Sequence, residues 1–282
     1  MFYLPPSESW YLTAARLSVT FDDGRKGSGT GFFVFDKVRE QYFLITARHV
    51  VDPKYSPRGI TMQAICSKFE MSFQWVENAG TSGPSIGYQT LTCDDPDYCF
   101  ADGDTDVAGI SFPHDYLPHK RDGNVYRPMS FSTEQIGTDE ELGLRYAGEP
   151  VVFIGFPSNA PSKEIDTHKF YYPLLRQGVF AYPPVHGIPI EGQLSNNYGL
   201  LDSFAQSGFS GSPVVSIQKG WADGSWHPKK DFRAARVVGV VCGHYRSSED
   251  RADGAHSGLS FFARSSSIHN VIQKLAAKET PH

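Results

Sequence analysis

Residues 206–213 read QSGFSGSP and run directly into VVSI, residues 214–217. Ser210 stands between Phe209 and Gly211, with Gly208 upstream and Pro213 downstream. Glycine reaches backbone angles closed to other residues, and proline fixes the exit into an extended run. The stretch reads as a tight turn that presents a serine at the mouth of an apolar strand. A serine hydroxyl is a weak nucleophile by itself and needs a base within hydrogen-bond reach. Whether Ser210 has chemistry to do depends on residues far upstream.

The bulk of the sequence sets the frame for that search. The chain has 282 residues, 40% of them hydrophobic and 20% charged, which is ordinary for a globular protein and enough for one large domain or two barrels. A formal charge of −5 and scattered basic residues argue against a nucleic-acid or anionic-membrane partner. No apolar run approaches a membrane-spanning length. Four cysteines, Cys66, Cys93, Cys99 and Cys242, are too few for a disulfide scaffold, although Cys93 and Cys99 bracket DDPDY and can bridge in an oxidising compartment. No His-x-x-x-His pair suggests a metal site. The N-terminus lacks the layout of a secretory leader. With Met1 as the native start the expected compartment is the cytoplasm; a secreted or periplasmic protein trimmed of its leader would read the same way.

Short β-like runs dominate, at residues 17–21, 31–35, 42–45, 59–65, 70–76, 107–112, 151–156, 178–182, 214–217, 236–242 and 259–262, separated by Gly, Pro and Asp clusters. AGTSGPSIG, residues 79–87, reads as an exposed loop, and the whole of 77–104 as a long connection able to cover a cleft or hold a partner. PHDYLPHKRDGNVYRP, residues 113–128, reads as a linker between two halves, and GWADGSWHPKKD, residues 220–231, as a hairpin insertion. Only the C-terminus looks helical: in SSSIHNVIQKLAAKE, Ile268, Val271, Ile272 and Leu275 recur at helical spacing, which predicts one amphipathic helix over about 266–279. Many short strands with regular turns predict an all-β protein of two barrel-like units. The first, residues 1–125, carries the upstream candidates; the second, residues 126–282, carries Ser210 and the helix.

Two upstream segments can complete the chemistry. In TARHV, residues 46–50, His49 follows an apolar strand; in DTDVAGI, residues 104–110, Asp106 leads straight into another, whereas Asp102 and Asp104 do not. A neutral imidazole can take the serine proton, and a carboxylate can hold that imidazole in the right tautomer. The order His, Asp, Ser excludes the hydrolase arrangement in which serine comes first. An oxyanion needs convergent backbone N–H groups, and those of Gly208 and Ser210 are the candidates.

Here the chain resembles the trypsin-like, chymotrypsin-fold serine peptidases, HtrA-like and other bacterial members above all. The motifs are GSGTGFFVF at 27–35 with FLITARHV at 43–50, Asp106-Val107-Ala108, and Gly208 to Pro213, with echoes in GEPVVFIGFP, RQGVF, RVVGVVCG and GLSFFA. The resemblance spans roughly residues 15–275. It implies two six-stranded antiparallel barrels with the site between them. It also implies Ser210 as nucleophile, His49 as general base and then acid, and Asp106 as orienter, acting on a protein or peptide without metal or organic cofactor. Substrate contacts then fall to Phe204 at the floor of the first specificity pocket, Ala205, Ser207 and Gly258 on its walls, and Cys242, Gly243 and His244 on a strand beside the substrate backbone. A phenylalanine floor suits a small or medium apolar residue before the cut; His244 leaves a Glu or Gln preference open.

The sequence also departs from the family. Phe209 replaces the acid that pairs with a newly cut N-terminus in animal digestive relatives, so Phe209 is expected to pack and hold the loop instead. Val50 replaces a common cysteine. After residue 275 too little chain follows for the peptide-binding (PDZ) domain of many HtrA-like relatives, so their assembly is not carried over and the oligomeric state stays open. A catalytically silent peptidase-fold protein that binds or scaffolds is the alternative reading, and an esterase using the same three residues a weaker one.

Overall fold

The structure, a computed structural model, describes residues 10–52, 55, 66–78, 84–103, 105–113, 116–117, 119–121, 124–165, 168–190, 192–219, 232–246 and 256–278. The expected strand at 59–65, the insertion at 220–231 and Asp104 lie outside those residues. The first part of the chain runs β1 (Ala14–Phe21), β2 (Lys26–Asp36), β3 (Gln41–Thr46), a single-turn helix α1 (Arg48–Val51), β4 (Cys66–Asn78), β5 (Pro84–Asp94), β6 (Cys99–Phe100) and β7 (Ala108–Pro113). A small hairpin follows, β8 (His119–Arg121) with β9 (Asn124–Tyr126), then β10 (Phe131–Ser132) and helix α2 (Asp139–Gly143). The second part comprises β11 (Pro150–Gly155), β12 (Ser162–Ile165), β13 (His168–Tyr171), β14 (Leu174–Phe180), β15 (Ile188–Ile190), β16 (Gln193–Ser195), β17 (Tyr198–Asp202), β18 (Pro213–Ser216), β19 (Arg236–Arg246) and β20 (His256–Arg264), ending in helix α3 (Ser265–Lys278).

The expectation of two six-stranded barrels is corrected. Among the described residues only the second unit closes, in the cyclic order β11-β14-β17-β20-β19-β18. The first is an open eight-stranded sheet, ordered β5-β4-β1-β2-β3-β7-β6, with β10 added parallel to β2. Its two ends, β5 and β6, follow one another in sequence through a turn at 95–98, but among the described residues they do not pair with each other. Asp95 takes a positive φ of 48° and Pro96 has no N–H to donate. The β6 strand has only two residues and pairs with β7. Alternation of apolar residues reveals strands and their faces; closure depends on tilt and stagger between partners, which the pattern does not encode.

The reading of 77–104 as one long connection is corrected too, because most of it is β5, paired with β4 along its length. Gly87 looks like a loop residue in sequence. It stands opposite Trp75, where an added Cβ would lie 2.3 Å from the indole, so the bare backbone makes room for the ring. The predicted linker at 113–128 holds the β8–β9 hairpin and a bridge from Pro128 to Trp75.

Among the described residues, two large apolar clusters follow from this layout, with a small third one of Ala14, Ile154 and Phe156. One fills the open sheet and continues into the helix, joining Phe32, Phe43, Phe73 and Phe131 to Ile268, Val271 and Leu275. The other fills the barrel with Phe153, Phe180, Phe209, Val214, Val238 and Phe262. The helix begins at Ser265 and buries Ile268, Val271, Ile272 and Leu275, the residues its periodicity selects. It lies close on β7: an added Cβ at Gly109 would come within 2.6 Å of Val271. That packing fixes the strand that starts directly after Asp106.

Candidate active site

The apolar run YFLI ends β3, and the chain turns through Ala47 into α1, which sets His49 on the first turn. The Asp106 carboxylate meets it there. One oxygen accepts the His49 backbone N–H at 2.9 Å, and the other lies 2.6 Å from Nδ1 of the imidazole. A carboxylate only accepts, so Nδ1 is the donor; in the neutral imidazole that tautomer puts the lone pair on Nε2. Asp106 has no exposed surface, while the His49 side chain is 26% exposed. The acid is behind and the base faces outward.

The segment around Asp106 is held by partners that its own sequence does not reveal. The Asp106 N–H donates to Tyr198 Oη at 3.0 Å, and that hydroxyl lies 3.1 Å from Tyr55 Oη. The Cys242 thiol lies 3.2 Å from the Val240 carbonyl and 3.5 Å from the Asp106 carbonyl. Burial first, and the Asp106 charge second, push the Cys242 thiol well up, so it stays protonated and unreactive. Asp102, the rival acid, is turned away: it binds Lys274 Nζ at 2.5 Å and Asn270 Nδ2 at 2.8 Å on α3. Those hydrogen bonds, Lys274 first, hold its carboxyl below the usual range.

Ser210 is placed by the loop that opened the sequence reading. Phe209 is fully buried, its ring edge-to-face on Phe153 at 5.2 Å. The apolar anchor expected of it is therefore present, and it adds about 2–3 kcal/mol of burial. The Phe209 N–H returns to the Gln206 carbonyl at 3.1 Å with Gly208 at φ +96°, the signature of a type II turn. A Cβ at Gly208 would meet the Phe156 carbonyl at 2.4 Å. Ser207 O accepts from Ser158 N at 2.9 Å and from Ser158 Oγ at 3.2 Å. The two ends of a trans peptide point in opposite directions, so the Gly208 N–H faces away from Ser158.

The same loop is docked against the segment that carries His49. Thr30 N donates to the Ser210 carbonyl at 2.8 Å, and Thr30 Oγ1 donates to the Gly208 carbonyl at 2.8 Å. At Gly211, φ +91°, an added Cβ would lie 2.4 Å from Thr46 Oγ1 and 3.0 Å from the Ala47 nitrogen. Gly211, next to Ser210, thus packs directly on Thr46 and Ala47, the residues that lead to His49.

No protein-family profile matches the chain, and no curated protein sequence matches it. Solved structures do. Deg5 superposes with a TM-score of 0.51 at 15% identity, covering 98% of both chains. HL collagenase gives 0.50 at 15% identity over 95% of each chain. A serine endoprotease from Yersinia pestis gives 0.50 at 12% identity, covering 98% of this chain and 68% of that one. The fold is that of the chymotrypsin-like serine proteases. At these identities the likeness is one of backbone, so the side chains must be read from their own geometry.

Within the chymotrypsin-like fold, the remaining sequence candidates fall along one rim of the barrel. Phe204 is 45% exposed, and Ala205 is buried with its N–H on Ser260 Oγ at 3.1 Å. Gly258 accepts the Ser203 N–H at 3.0 Å, and a Cβ there would meet nothing within 4 Å. Gly243 and His244 lie on β19 opposite Phe261 and Ser260. Among the described residues, bonding from the β18 side reaches Val241, which accepts from Gly211 N at 2.8 Å and donates to Ser212 O at 2.9 Å, and β19 runs on against β20 as far as Arg246. Cys242 is buried beside the Val240 and Asp106 carbonyls, as above. Sequence reading missed Tyr198, Tyr55, Ser158, Thr30 and Ser260. Thr30 and Ser260 lie inside quoted motifs, but nothing local marks the role of any of the five, because each contacts residues far away in the chain.

Proposed function

We propose that the protein is a serine endopeptidase. The observation that carries the reading is the His49–Asp106 pair, bonded at 2.6 Å behind the docked Ser210 loop. In this reading Nε2 of His49 takes the Ser210 hydroxyl proton as Oγ attacks the scissile carbonyl. The resulting oxyanion faces the N–H groups of Gly208 and Ser210, each worth about 3 kcal/mol in the transition state. His49 then passes its proton to the leaving amine, and water repeats the sequence on the acyl-enzyme. Asp106 keeps the imidazole in the productive tautomer and stabilises the imidazolium.

In this reading the substrate backbone lies along β19 at Gly243 and His244. The residue before the cut enters beside Phe204, Ala205, Ser207 and Gly258. None of these four carries a charge, which favours a small or medium apolar side chain there.

The test is cleavage of a mixed peptide library, mapped by mass spectrometry, with wild type and His49→Ala. Wild type is expected to cut after apolar residues. The variant is expected to lose on the order of 10⁴- to 10⁶-fold in kcat while remaining folded. Undiminished cleavage by the variant removes His49 from the mechanism.

A further inference from the structure

We propose that Tyr198 is a positioning residue that aims the Asp106 carboxylate at His49; this rests on reading His49, Asp106 and Ser210 as a catalytic set. Asp106 has no exposed surface, so water cannot serve its backbone N–H. The acceptor is the Tyr198 phenol oxygen at 3.0 Å. Burial keeps that phenol neutral by pushing its pKa far up, and the Tyr55 hydroxyl at 3.1 Å completes its hydrogen bonding.

Where the phenol sits is decided by the barrel. Tyr198 opens β17, pairs in register with Ala263, and packs edge-on to Phe261 at 5.9 Å. Asp106 sits on a bend just before β7, after Gly103 at φ +67°. Its own strand ladder begins only at Ala108. The Asp106 N–H is therefore held by a barrel side chain, Tyr198, while the Cys242 thiol, nearest the Val240 carbonyl at 3.2 Å, lies 3.5 Å from the Asp106 carbonyl. The phenol transmits the rigidity of the closed barrel to an acid carried by the open sheet. A carboxylate must be held within a fraction of an ångström to keep the imidazole aligned.

Tyr198→Phe removes the oxygen and keeps the ring. Three measurements are made on wild type, Tyr198→Phe and Tyr55→Phe: kcat and KM on a library-derived peptide, thermal unfolding, and the far-downfield proton resonance of His49 Nδ1, assigned by its loss in His49→Ala. We expect Tyr198→Phe to lose about 10- to 100-fold in kcat at nearly constant KM, with the resonance moved upfield or broadened. Tyr55→Phe leaves Asp106 its acceptor and should lose less. A folded Tyr198→Phe with wild-type kcat and an unmoved resonance overturns the proposal. So does a rate loss that only tracks the unfolded fraction while the resonance stays in place. A wild type that cuts no peptide, with a resonance that still moves in Tyr198→Phe, overturns the peptidase reading and supports the positioning of Asp106.

Discussion

Asp106 spends its carboxylate on two donors of one residue, the backbone N–H and the Nδ1–H of His49. Asparagine at this position keeps the size but brings an NH₂ where an acceptor is needed, which favours the wrong imidazole tautomer. Asp106→Asn is therefore expected to lower kcat about 10⁴-fold, measured by initial rates with circular dichroism confirming the fold. A loss below tenfold contradicts the orienting role. Ser212 makes the opposite case. Its hydroxyl is buried and has no hydrogen-bond partner among the described residues, wedged where a Cβ on Gly155 would come within 2.1 Å. An unsatisfied buried hydroxyl costs stability, so Ser212→Ala should leave the protein as stable or raise it by about 1 kcal/mol, read from urea unfolding.

At the scale of elements, helix α3 does more than end the chain. It covers β7 through Val271 and Leu275 and ties down Asp102 through Asn270 and Lys274. Leu275→Ala should cost about 2–4 kcal/mol in denaturant unfolding; a cost near zero would mean the helix is not part of the core. This helix was legible in the sequence because its apolar residues recur every three to four positions within a single segment. Strand β5 was not, because Gly87 signals a loop and reveals its partner, Trp75, only once the register is known. The open first sheet was illegible for the same kind of reason, since closure is a property of several strands together. His49, Asp106 and Ser210 could be picked out as candidates because each stands beside its own strand or turn signal. Tyr198 could not: its bond to Asp106 spans 92 positions, and nothing local marks either end.

Across the whole molecule, the candidate site exists only because an open sheet and a closed barrel share a seam. Thr30, on the sheet, donates to Ser210 and Gly208 of the barrel and accepts from Phe156 N at 2.9 Å. Tyr198, on the barrel, holds the Asp106 N–H of the sheet. His49 and Asp106 thus come from the sheet and Ser210 from the barrel, with the Ser210 loop and the Asp106 main chain each bonded across the seam. We propose that this seam makes Ser210 a nucleophile. The most direct measurement is reaction with a fluorophosphonate probe, with the adduct located by mass spectrometry in wild type, Ser210→Ala and His49→Ala. The account predicts a single stoichiometric adduct on Ser210 that is absent from Ser210→Ala and formed far more slowly in His49→Ala. A folded wild-type protein that takes no adduct, or takes it on another residue, would contradict it.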